Sequence, residues 1–242
     1  MNASDRHAAA GAGSSAPTVA FDVIGTLFTL DRPRSELAKL GAPEFAVNLW
    51  FAQTLRDSYG WSLAGGYRPL KEFLQAALQR MLLQLGIRAD ESQRGAVLGS
   101  LGELDAAPGA SEAVEDLSEK GWRVITLTNG SEEFTRGLLE RAGIGHRFVA
   151  TLSCDAIGKT KPHPDVYQMA KQEASGEVWL VAGHAWDVAG AIAAGLRSAW
   201  ISATEKEYLS VYPQPDIVAD DLAEAAELML AFSAKSQASS GA

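Results

Sequence analysis

The chain has 242 residues, 47% hydrophobic and 21% charged, which excludes disorder along its whole length. That length fits one large domain, or a core carrying a smaller insert. Thirty acidic against 21 basic residues give a net charge of −9, so bulk charge recruits neither nucleic acid nor an anionic membrane; an anionic ligand must be held by local groups.

A single cysteine, Cys154, excludes an internal disulfide and a cysteine-based zinc site, as expected in a reducing compartment. No apolar run approaches the roughly 18 residues of a membrane span, so the expectation is a soluble, cytoplasmic protein. Residues 1–17 are rich in Ala, Gly and Ser and lack the sustained apolar stretch of a signal peptide. They read as a flexible tail, as do residues 234–242.

The first ordered element is TVAFDVI at 18–24, a short apolar run with the Val and Phe content of a buried strand, ended by Gly25. Residues 34–104 then change rhythm. Leu70, Phe73, Leu74, Ala77, Leu78, Met81, Leu82 and Leu85 keep the spacing of one apolar helix face. Phe45, Leu49, Trp50 and Leu55 mark a second helix, and Val97, Leu98, Leu101 and Leu104 close the segment. It reads as a small helical bundle inserted after the first strand and covering its end.

Strands follow at 122–128, 146–153, 178–183, 197–202 and 216–219, separated by helical segments. One of these helices has Ser131 as N-cap and another follows Pro164. Alternating strands and helices with short connections predict an α/β fold with a parallel sheet covered on both faces. A ligand belongs at the carboxyl ends of its strands.

Four stretches fall at those ends. Asp22, followed by Gly25 and Thr26, presents a carboxylate in a tight turn, as a nucleophile or as a turn cap. Thr128, Asn129 and Gly130 offer hydroxyl, amide and backbone donors for an oxyanion or carboxylate, or form an ordinary loop. Lys161, in KPHPDVY, keeps a neighbouring aspartate charged, or is a solvated loop lysine. Asp187, in GHAWDVAGA, lies at a helix start and serves chemistry or caps the helix.

Together, DVIGTLF, LTNG, KPHPDVY and HAWDVAGA resemble the haloacid dehalogenase superfamily, closest to its (S)-2-haloacid dehalogenase branch. The resemblance implies a Rossmann-like doubly wound sheet with an inserted helical cap. The core is expected at 18–33 and 105–233, the cap at 34–104. It also implies that Asp22 is the nucleophile, Thr26 its neighbour in the turn, and Thr128 and Asn129 the groups that bind substrate carboxylate. Lys161 then pairs with the nucleophile, Tyr167 lines the pocket, and Asp187 serves the hydrolytic water. The implied reaction needs no metal and no cofactor, and its partner is a small anionic 2-halo acid. A homodimer formed through the cap is compatible with the resemblance.

Two departures separate the chain from the superfamily's phosphatases. Their second aspartate is replaced by Ile24, which transfers no proton, and their later acidic pair reads Ala182-Gly183-His184. Two more separate it from typical dehalogenases. Phe51 stands where an arginine follows the cap tryptophan, and His184 where an asparagine is usual. His184 either handles the attacking water or forms pocket wall. A different hydrolase of the superfamily, such as a Mg²⁺-dependent phosphatase, and a non-catalytic binding protein are the alternatives. GAGSSA at 11–16 precedes the first strand, so it is no dinucleotide site, and SCDAIGKT lacks the first glycine of a phosphate loop.

Overall fold

The computed structural model describes residues 16–240, with side chains through Lys235. Residues 1–15, which include most of the expected N-terminal tail and of GAGSSA, lie outside the described residues, as do 241 and 242.

A six-stranded, all-parallel sheet organises the chain, in the order β3-β2-β1-β4-β5-β6. The strands are β1 (Thr18–Phe21), β2 (Arg123–Thr128), β3 (Phe148–Ser153), β4 (Val178–Ala182), β5 (Arg197–Ile201) and β6 (Ile217–Ala219). They read as near-continuous apolar runs because both faces are covered. On β1, Val19 and Phe21 enter one buried cluster while Ala20 enters the other. Helices α5 (Ala110–Glu119), α6 (Glu132–Arg141) and α10 (Leu222–Ser240) pack with the first cluster, α7 (Pro164–Glu173) and α8 (Ala185–Ala193) with the second. Residues 234–240, expected as tail, instead continue α10, in keeping with the helix-compatible Ala, Lys and Gln among them.

Strand order reverses at β1. The chain moves outward through β2 and β3, then returns to the other side of β1 for β4, β5 and β6. A crevice at the carboxyl ends of β1 and β4 is the physical consequence.

Between β1 and β2 stand α1 (Asp31–Lys39), α2 (Ala46–Leu63), α3 (Leu70–Gln84) and α4 (Glu91–Gly99), followed by a 3₁₀ turn at Ser100–Glu103. Leu74, Ala77, Leu78, Met81 and Leu82 of α3 are buried, as the spacing predicts, against Trp50 and Leu55 of α2. The Trp50 indole N–H donates to the Leu74 carbonyl at 2.8 Å, satisfying the polar end of a buried ring. Phe45, expected in this core, is exposed because it precedes the helix and takes the N-cap position.

The helical layer joins the sheet through two adjacent chain crossings. Thr29 N–H donates to Asp105 O and Ala107 N–H to Leu27 O, and the Arg32 guanidinium grips the Asp105 carboxylate with two nitrogens at 2.8 and 2.9 Å. At the layer's edge, the Tyr67 hydroxyl donates to Asp155, beyond β3.

Candidate active site

β1 ends one residue before Asp22, whose own amide donates to Val181 O of β4 at 3.0 Å. This bond fixes the carboxylate at the sheet edge. The chain then turns back through Gly25, whose φ of +83° favours glycine, and a β-carbon there would lie 2.6 Å from the His184 ring. A β-carbon on Gly183 would meet Gly25 O at 2.7 Å. Both glycines of the sequence motifs therefore let the loops after β1 and β4 touch.

Asp22 is buried, yet each of its oxygens has a donor: Thr26 Oγ1 at 2.7 Å on Oδ2 and Lys161 Nζ at 3.0 Å on Oδ1. Burial alone raises its pKa, but Lys161, His184 and the Thr26 hydroxyl more than offset it and hold the carboxyl below its ordinary value. Thr26 is fully engaged, because its oxygen also accepts from Gly183 N–H at 2.9 Å. It orders the turn and does not face the cavity.

Lys161 is wholly buried between two carboxylates, donating to Asp187 Oδ2 at 2.7 Å as well as to Asp22. Burial works against its charge, but Asp187 and Asp22 hold its pKa above the ordinary lysine value. It is no solvated loop lysine. Asp187 is equally buried, and its second oxygen accepts from the Tyr167 hydroxyl at 2.7 Å. Burial pushes this carboxyl above its usual range despite Lys161.

His184 occupies the N-cap position of α8, so Asp187 is not the cap; it sits in the first turn, behind Lys161. Tyr167, expected on the pocket wall, is fully buried among apolar side chains and acts as the hydrogen-bonding support of Asp187.

The wall itself is formed by Asp22, Ile24, Phe51, Leu55, Leu70, Thr128, Asn129, Gly130, His184 and Trp186. Asn129 Oδ1 accepts from Lys161 N–H at 3.0 Å and from the Cys154 thiol at 3.2 Å, which orients the amide NH₂ away as the available donor. Burial pushes that thiol up to about 12, so it is no nucleophile at neutral pH. Thr128 Oγ1 accepts from Gly130 N–H at 2.9 Å and keeps its own proton to donate.

Phe51 comes down from α2 and packs on the His184 ring, 5.8 Å between centroids, while Trp186 stacks on it at 5.5 Å. Trp186, two residues after His184 in HAWDVAGA, thus also stands on the wall. Tyr59, also of α2, lies edge-on to Trp186 with its buried hydroxyl beside Asn129.

Glu205 was invisible in the sequence. It ends the short helix α9 (Ser202–Glu205) after β5, accepts from Ala185 N–H at 2.9 Å, and lies 3.4 Å from His184 Nδ1. The other ring nitrogen, Nε2, is 3.1 Å from Ile24 O. Both nitrogens therefore face oxygen acceptors, an arrangement that suits imidazolium and leaves no lone pair to take a proton from water. Burial opposes the charge, but Glu205, Asp22 and the Ile24 carbonyl raise the ring's pKa above its ordinary value. This geometry favours a cationic pocket wall over a base.

Its stability contribution is thus fully present below about pH 6.5 and is lost as pH rises through the raised value. Glu205→Gln is expected to move the His184 ring titration, followed by NMR of its carbon-bound protons, to lower pH. An unmoved titration would show that Glu205 does not hold the charge.

Space above Asp22 amounts to about 10 Å³, about what one water needs, so the nucleophile candidate is largely shielded from bulk solvent. Among the described residues, no cluster of His, Cys, Asp and Glu side chains is placed to hold a metal ion, and no helix is long and apolar enough to cross a membrane.

The chain and its fold have counterparts among known proteins. Over 191 residues the chain is 30% identical to (S)-2-haloacid dehalogenase 1 of Pseudomonas sp. (strain CBS-3), covering 77% of this chain and 84% of that one. It is 29% identical to the (S)-2-haloacid dehalogenase of Xanthobacter autotrophicus, with 79% and 77% covered. A crystal structure described as a dehalogenase superposes with a TM-score of 0.83 at 25% identity, covering 88% of this chain and 97% of its own. Residues 16–195 match the haloacid dehalogenase-like hydrolases, and the chain belongs to that family.

Proposed function

We propose that the protein hydrolyses the carbon–halogen bond of a small 2-haloalkanoic acid, giving a 2-hydroxy acid through an ester on Asp22. The observation that carries this reading is a buried carboxylate, held below its ordinary pKa at the switch point of the sheet by Lys161 and Thr26, under the helical layer. The likeness to (S)-2-haloacid dehalogenases supports it.

The substrate carboxylate meets donors from Thr128 and the Asn129 amide, with His184 supplying positive charge in place of an arginine after Trp50. One Asp22 oxygen attacks C2, the new C–O bond forms, and halide leaves with the bonding pair. Halide needs no proton, so Ile24 at the position of a phosphatase acid is no handicap. Exclusion of bulk water keeps the attacking oxygen unsolvated.

Water then adds to the Cγ of the ester, and the donor on the oxygen left unesterified, Thr26 on Oδ2 or Lys161 on Oδ1, stabilises the oxyanion that forms there. Collapse expels the 2-hydroxy acid and restores the Asp22 carboxylate. The water's proton passes to Lys161 as Lys161 hands one of its own to Asp187 Oδ2, so the buried Asp187 carboxylate ends with the proton without touching the water. Displacement at C2 by Asp22 alone inverts that centre.

The test is halide release from 2-bromopropionate in chelated buffer beside release of phosphate from an aryl phosphate with Mg²⁺. Halide release alone is expected. Phosphate release without halide would replace this reading by the phosphatase one, and release of neither would leave a binding protein.

A further inference from the structure

The space above Asp22 has no room for a C2 substituent, but it shares Ile24, Leu70 and Gly130 with a neighbouring cavity of about 300 Å³. At about 30 Å³ per liquid water, that chamber equals roughly ten waters. Leu74, Leu98, Leu101 and Phe134 supply its apolar surface and exposed Lys71, Gln75 and Asp155 also line it, so it lies between α3, α4, the 3₁₀ turn and α6. Ile24 and Leu70 are buried aliphatic side chains that form the partition.

A wider cavity also adjoins Asp22's pocket, but there the partition is Leu55 with the Phe51–His184–Trp186 stack, anchored by Glu205. An apolar group leaving C2 therefore finds a soft, apolar boundary on one side and a charged aromatic one on the other.

We propose that the chamber beyond Ile24 and Leu70 receives the C2 substituent, and that the substrates are 2-halo acids with an apolar chain of several carbons. This rests on the dehalogenase reading of Asp22. The carboxylate end stays with Thr128, Asn129 and His184, while the chain runs past Ile24 toward Leu98, Leu101 and Phe134. Phe134 accounts for a detail of α6: it is only half-buried although it belongs to that helix's apolar stripe, because it faces this space.

The experiment compares kcat/KM for 2-bromohexanoate and 2-bromopropionate. Each methylene transferred from water into the chamber is worth about fourfold, so the longer acid, with three more, is expected to be favoured by about 60-fold. Leu98→Trp, which fills the chamber from its far wall, should bring the two substrates to near parity while leaving 2-bromopropionate within about twofold of wild type. Gln75→Trp, entering from the exposed side of α3, repeats the test without touching a buried position. Thermal unfolding of both variants checks that each is folded.

A wild-type preference for 2-bromopropionate would overturn the proposal. So would an equal loss on both acids in the folded variants, which would make the chamber a passage. Absence of halide from either acid would end the dehalogenase reading itself, and this inference with it.

Discussion

Asp22→Asn is expected to lower halide release by at least about 10⁴-fold, with the fold intact. The amide matches the carboxylate in shape and still accepts from the Thr26 hydroxyl, so the turn through Gly25 has no reason to change. It lacks the anionic oxygen that displaces halide. Wild-type turnover in ¹⁸O-water sharpens the test, because water attacks the ester at Cγ. Repeated cycles should load label onto Asp22, visible by mass spectrometry of the peptide that contains it. Label confined to the product from the first turnover would mean direct attack of water on C2, and the ester would be wrong.

Lys161→Met should have the second-largest effect, on activity and stability together. The variant leaves two buried carboxylates, Asp22 and Asp187, without the ammonium that touches both. Breaking a buried charge network in this way costs about 3–5 kcal/mol, read as a lowered denaturant midpoint. Loss of the charge facing Asp22 is expected to reduce kcat/KM by about 10²–10³-fold.

The sign with pH follows from Asp22, whose pKa is depressed in the folded protein. Its contribution is present above the unfolded value, about 3.9, and is lost as pH falls through the folded one. Wild type and variant should therefore differ most near neutrality and converge in acid. In the variant, burial is no longer opposed by Lys161, so the acid limb of its rate profile should move to higher pH. An unmoved limb would assign the wild-type limb to another group.

Sheet and helices were legible because their signals are local. A buried parallel strand is a short run of apolar residues, and each of the six sits within the stretch its composition marked, trimmed by one to three residues at its ends. Asp22, Thr128, Asn129 and His184 could be placed together from sequence, since strand ends converge in this topology. Depth was not legible. Asp187 shares a motif with the wall residues His184 and Trp186, and Tyr167 shares one with Lys161, but α7 and α8 pack against the sheet there and turn both side chains inward. Nor was Glu205 legible: its partner His184 lies 21 positions away, and neither helical nor strand periodicity links them. Phe45 misled because an aromatic near an apolar stripe looks the same whether it lies inside the helix or one position before it.

The paired crossings at Leu27–Thr29 and Asp105–Ala107 have a mechanical consequence. A layer attached along one edge, by two short segments bonded to each other, pivots instead of lifting away. Entry of the acid and release of halide and alcohol are then expected to follow the swing of a hinged shutter, for which the Tyr67–Asp155 hydrogen bond would have to part. Solvent viscosity would therefore slow the enzyme even when bond breaking is fast.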